Sequence, residues 1–191
     1  MRPSTAHALA TAAIVAALAL SADGVGATPE TTCAAAAAHD RRVDYGFCVS
    51  RLSHHHDSPD ADTWGLAKVA ADVGVAIAGD AVYDIKALLA TSSKPPGEGE
   101  GEGDAQERAV LEQCQRLYDA AESAFAEAYD AINRRDYAAG KGKAAEAASL
   151  ARRCDDAFAR AALRPPPQVA RWGEESAKIA VVCTAITDLI D

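Results

Sequence analysis

Asparagine is almost missing from this chain of 191 residues. Asn133 is the only one, and it stands in Asn-Arg-Arg. No Asn-x-Ser/Thr sequon exists, so no N-glycan is expected. Aromatic residues are few, with two Trp, five Tyr and three Phe. β-Branched residues are sparse outside the C-terminal segment, while alanine is abundant. That balance disfavours strands and favours helices. Positive charge is also short: 19 Lys and Arg against 28 Asp and Glu leave a net charge of -9. An acidic chain without a basic stripe excludes nucleic acid as a partner and argues against an anionic membrane surface. The glycine-rich stretch "GEGEGEGD" is acidic and would repel phosphate. No Ser/His/Asp set, HExxH or paired CxxC is present. The expectation is therefore no catalytic residue, no cofactor and no enzyme.

Long apolar runs are missing as well, with one exception. Met1–Leu20, "MRPSTAHALATAAIVAALAL", carries Arg2 and then an apolar run from Ala8 to Leu20. The run is too short for a bilayer about 30 Å thick, which needs about 20 apolar residues. Small residues at Val25 and Ala27 suit signal-peptidase cleavage. Residues 1–27 read as a secretory signal peptide cut after Ala27. The rest, residues 28–191, is the size of one domain and large enough for a core. The chain is expected outside the cell, in the apoplast or cell wall, with the vacuole as the other destination.

Four segments of the secreted part carry one apolar stripe each at helical spacing. In the first, between Asp62 and Leu89, the stripe is Leu66, Ala70, Val73, Ile77 and Ala81. Between Asp104 and Arg135 it is Leu111, Cys114, Tyr118, Ala121, Phe125, Ala128 and Ile132. The third, between Tyr137 and Leu163, shows Ala144, Ala147, Ala151, Cys154, Phe158 and Ala161. The last runs Trp172, Ser176, Ile179, Cys183, Ile186 and Ile190. Many stripe positions are Ala, which lets helices approach closely. The punctuation agrees. Asp60 or Asp62 offers an N-cap, "NRRD" is a tight turn, and the three prolines of "RPPPQ" stop a helix. Residues 92–104 form an acidic Gly/Pro-rich linker, expected to be mobile and solvated. The fold expected is all-α: an antiparallel four-helix bundle over residues 60–191, with residues 28–56 as a short appendage before it.

Five cysteines remain after cleavage: Cys33, Cys48, Cys114, Cys154 and Cys183. In a secreted chain their default is disulfide bonding. Cys114 and Cys154 lie equidistant from the Asn133–Arg135 turn and on inner stripes, so an antiparallel helical pair sets them opposite each other. The same symmetry about Asp40-Arg41 pairs Cys33 with Cys48 and makes the appendage a stapled helical hairpin. Cys183 is left on the apolar stripe of the last helix as a buried free thiol.

These residues resemble the plant invertase and pectin methylesterase inhibitor family. The resemblance rests on the cysteine pair of the N-terminal hairpin, on "CQRLYDAA" at Cys114–Ala121 and on "CDDAF" at Cys154–Phe158. "VDYGFCVSRL" and "INRRDYAAGKGKAAEA" are similar to the pollen-allergen-type branch labelled invertase inhibitors. The resemblance covers Thr28 to Asp191. It implies an apoplastic protein inhibitor that blocks pectin methylesterase or an acid invertase in a 1:1 complex. Invertase-directed members carry Pro-Lys-Phe near the turn between the disulfide-linked helices. This turn, "NRRDYAAGKG", lacks it, which favours pectin methylesterase. A secreted helical bundle that carries a ligand, or binds a partner without inhibiting it, is the other class.

Two surface groups stand out. Arg134, Arg135, Asp136 and Tyr137 are expected at an exposed bundle end, where cations could probe a carboxylate-lined cleft. Pectinesterase and glycosidase sites are of that kind. His54, His55 and His56, followed by Asp57, look like metal ligands. Adjacent histidines do not all face one ion, however, and zinc wants four placed ligands. The expectation is a solvated loop and no metal.

Overall fold

The computed structural model describes residues 26–91 and 101–191. The signal peptide therefore lies outside the described residues except for Gly26 and Ala27, and so does the 92–100 part of the linker. Six helices are present among the described residues: α1 (Pro29–His39), α2 (Tyr45–Ser53), α3 (Thr63–Thr91), α4 (Glu102–Asn133), α5 (Tyr137–Arg160) and α6 (Pro167–Asp188). No helix among them is long and apolar enough to cross a membrane.

The four long helices form the bundle. α3 packs on α4 and α6, and α5 packs on the same two. The stripes explain this pairing. Every stripe residue read from α3 and α4 is buried, and so are Ala144, Ala147, Ala151, Cys154 and Phe158 of α5. Trp172, Ser176, Ile179, Cys183 and Ile186 close the fourth side. Ala161 and Ile190 are only half-buried, because α5 and α6 end just before them. The small stripe residues bring backbones close. Between α3 and α4 the approach leaves no room at Gly74, where a Cβ would stand 2.4 Å from the Phe125 ring. A larger side chain would force the ring out of its place.

Helix boundaries follow local chemistry. The Asp62 carboxylate accepts the Gly65 amide at 2.7 Å and caps α3. Pro167 opens α6 at a position where its missing N–H costs nothing. α4 starts earlier than expected. The linker read over residues 92–104 ends at Gly101, and Glu102–Asp104 are already helical. Acidic residues are stabilised in the first turn by the positive end of the helix dipole, so this stretch can join the helix behind it.

The hairpin of α1 and α2 packs mainly on α6 and α3. Leu52, Cys33, Cys48 and Ala36 are wholly buried beneath it. Its rim is tied down by charge. Arg51 pairs with Glu175, and Lys178 reaches Asp44 at 3.2 Å. A surface pair such as Lys178–Asp44 contributes about 0–1 kcal/mol, so burial, the partly buried Arg51–Glu175 pair and the staple hold the hairpin in place.

Candidate functional site

The structure joins Cys33 to Cys48 across the hairpin and Cys114 to Cys154 across α4 and α5. The latter lies inside the bundle, with both residues fully buried. Cys183 is a free, buried thiol on α6. Burial pushes its pKa up to about 12, only partly offset by a hydrogen bond with Thr187. Such a thiol is a packing group and not a nucleophile.

Arg134–Tyr137 form the tight reversal between α4 and α5. Arg135 N–H bonds the Ile132 carbonyl at 2.9 Å, and Asp136 N–H bonds that of Ala131 at 2.9 Å. This double bond pattern is a Schellman ending. It places Arg135 at the left-handed position, with φ 63°, where glycine is the usual occupant. The Asp136 carboxylate then accepts the Ala139 amide at 3.2 Å and starts α5. One short segment thus ends one helix and caps the next.

The turn is not a loose polar loop. The Arg135 guanidinium lies 4.8 Å from the centroid of the Trp64 ring at the start of α3. Arg135 Nη1 also donates to the Tyr137 hydroxyl at 3.2 Å. Trp64 itself is held by its indole N–H, which donates to the Ile132 carbonyl at 2.9 Å. The Lys68 ammonium stands 3.7 Å from the same ring centroid and donates to Asn133 at 3.4 Å. Sequence reasoning missed Trp64 and Lys68, which lie some 70 residues upstream. The signal available was a Trp two residues before Leu66 on a capped helix start. Arg134 is exposed and lines a shallow depression with Glu127, Asp130 and Lys143. The end of the bundle therefore offers Lys68 and Arg135 on the Trp64 ring, with Arg134 exposed beside them.

Residues 54, 56 and 57 are exposed, and within 54–57 only His55 departs from the solvated loop expected there. They form the turn after α2, and His55 docks on the bundle. Its side chain is only 13% exposed, and its Nε2 lies 2.9 Å from the Asp72 carboxylate of α3. His54 Nδ1 lies 2.6 Å from the Ser50 carbonyl.

The fold and this surface define a class: a disulfide-stapled helical bundle that presents a rigid, shaped exterior. The chain matches the family model described as plant invertase/pectin methylesterase inhibitor over residues 27–186, and it belongs to that family. It is 68% identical over 167 residues to "Pectinesterase inhibitor 8" of Oryza sativa subsp. japonica, covering 87% of this chain and 85% of the relative. "Pectinesterase inhibitor 12" of the same organism is 41% identical over 191 residues, covering 100% of this chain and 87% of the relative. Two solved structures share the fold. The mutant form A of a pectin methylesterase inhibitor from Arabidopsis has a TM-score of 0.64 at 16% identity, over 85% of this chain and 97% of that one. A pectin methylesterase inhibitor from Arabidopsis thaliana has a TM-score of 0.58 at 18% identity, over 85% and 95%. The relatives are named for inhibition and not for catalysis.

Proposed function

We propose that this protein is a secreted inhibitor of pectin methylesterase that binds its target 1:1 and covers the active site. The observation that carries the reading is the likeness to two rice pectinesterase inhibitors, one at 68% identity. The absence of Pro-Lys-Phe from the α4–α5 turn supports pectin methylesterase over invertase. The similarity of "INRRDYAAGKGKAAEA" to invertase-inhibitor-labelled relatives keeps acid invertase as the second reading. Secretion to the apoplast follows from Met1–Ala27.

In this reading the protein does no chemistry. It supplies a preformed surface, and its stiffness lowers the ordering cost of binding. Arg134, Arg135, Asp136 and Tyr137 are the contact end. Two guanidinium groups there match a cleft built from carboxylates, and Asp136 and Tyr137 hold the segment in shape.

The test is titration of a pectin methylesterase and of a cell-wall invertase with the purified protein at mildly acidic pH. Stoichiometric loss of esterase activity alone is expected. Loss of invertase activity alone would move the assignment to the second reading. Full activity of both enzymes at molar excess would overturn inhibition.

A further inference from the structure

Three lysines of this acidic chain are each held by two carboxylates. Lys141 reaches Asp188 and Asp191, Lys143 reaches Glu127 and Glu146, and Lys178 reaches Asp44 and Glu174. Lys68 is held differently. It is half-buried on α3 and pairs with no carboxylate among the described residues. Its ammonium stands 3.7 Å from the Trp64 ring centroid and 5.9 Å from that of Tyr129. It donates to the neutral Asn133 side chain at 3.4 Å. Arg135 is in the same condition. Its guanidinium lies 4.8 Å from the Trp64 centroid and donates to the Tyr137 hydroxyl, again with no carboxylate partner among the described residues. One neutral ring thus holds two cations from separate elements.

A ring fixes a cation without cancelling its charge, whereas an ion pair does both. The ring quadrupole attracts at short range, and the charge stays available to a partner. A guanidinium on a ring keeps N–H groups free at its edge. Trp64 can serve as the base because it is itself locked. Its indole N–H donates to the Ile132 carbonyl at 2.9 Å, and the Asp62 cap fixes the helix start that carries it.

We infer that Trp64 is the positioning residue of the contact end and that Lys68 is a contact residue beside Arg135, the two cations forming one unit that meets carboxylates on the target enzyme. The inference rests on the reading of residues 134–137 as the contact end, and it extends that end onto α3. Without the ring, each long side chain would have to be ordered at the moment of binding, which costs affinity.

The test is the rate of association and of dissociation between the purified protein and the enzyme it inhibits, at several salt concentrations. Trp64→Leu keeps both charges and loosens them. Dissociation should become at least about fivefold faster, with 1:1 stoichiometry and the salt dependence of association kept. Trp64→Phe keeps a ring and should restore most of the loss. Lys68→Gln removes a charge and should slow association and flatten its salt dependence. Lys86→Gln, exposed about five turns further along α3, should behave as the parent. In the free protein, the Lys68 ε-methylene proton signals should lie upfield through the ring current of Trp64 and return to ordinary positions in Trp64→Leu. Ordinary positions in the parent would overturn the inference whatever the enzyme does. Parent-like kinetics in Lys68→Gln would overturn it, and so would a Trp64→Leu variant that binds in smaller amount but dissociates at the parent rate, since that is a folding defect alone. Those results leave the inhibitor reading standing. A parent that inhibits neither pectin methylesterase nor invertase overturns both.

Discussion

The Arg135 guanidinium sits 4.8 Å from the centre of the Trp64 ring, joining the α4–α5 turn to the first turn of α3. Arg135 holds this place from a left-handed backbone, at φ 63°. A side chain there costs about 1–2 kcal/mol relative to glycine, and the cation–ring contact returns about 0.5–1 kcal/mol at an exposed position. Arg135→Gly removes both and should change stability little. Arg135→Ala keeps the strain and loses the contact. It should be the least stable of the three, by about 1 kcal/mol, in urea unfolding. If alanine and glycine prove equal, the backbone strain is not being felt. Inhibition should fall in both variants, because both lose the cation.

The two disulfides close loops of different length, with separations of 15 and 40 residues. In the chain-entropy model they contribute about 3 and about 4 kcal/mol. Their removal should differ in kind as well as size. Cys33→Ala with Cys48→Ala frees a hairpin held otherwise by a small buried patch and two rim ion pairs. Hydrogen exchange should then rise in α1 and α2 and stay slow in α3–α6. Cys114→Ala with Cys154→Ala opens the interior of the bundle and should lower the global unfolding midpoint. Uniform exchange in the first variant would show that hairpin and bundle unfold as one unit.

Asp155 on α5 is half-buried, and its carboxylate lies against Gly173 of α6. Burial first, and then the neighbouring Asp156 charge, raise its pKa above the ordinary 3.8. A raised carboxylate favours the protonated folded form. The stability it allows is complete below the ordinary value and is lost as pH rises through the folded one. Asp155→Asn removes that loss. The variant should match the parent in denaturant at pH below 3.8 and exceed it at pH 7. A gap of the same size at both pH values would show that the amide gains by contacts and not by charge.

Cys183 is wholly buried, its pKa pushed up to about 12 by desolvation. The native protein should therefore give no fast reaction with a thiol-specific disulfide reagent, and one equivalent per chain once unfolded in guanidinium. Rapid labelling of the folded protein would require an opening of α6 from α3, where the thiol faces the Ala67 carbonyl.

The bundle was legible because its signal is repeated. Leu111 through Ile132 recur at three and four residues for six intervals, and a pattern that long has one physical meaning. Boundaries were less legible. Glu102–Asp104 read as linker by composition, yet a helix dipole can recruit acidic residues into its first turn. The contact end was visible only in part. Arg134–Tyr137 stood out as a charged turn, while Trp64 and Lys68 gave no sign that they lay beneath it.

By itself the sequence determined what depends on neighbours along the chain: the helices, the stripes that must be buried, the proline stop before α6 and the acidic balance. Tertiary structure alone decided what depends on approach between distant segments. Trp64 beneath Arg135, His55 on Asp72 and the Asp155 carboxylate against Gly173 each join residues from separate elements. Helical periodicity says which face turns inward. It does not say which residue of another helix waits there, because that is set by the relative height and rotation of whole helices as the core packs.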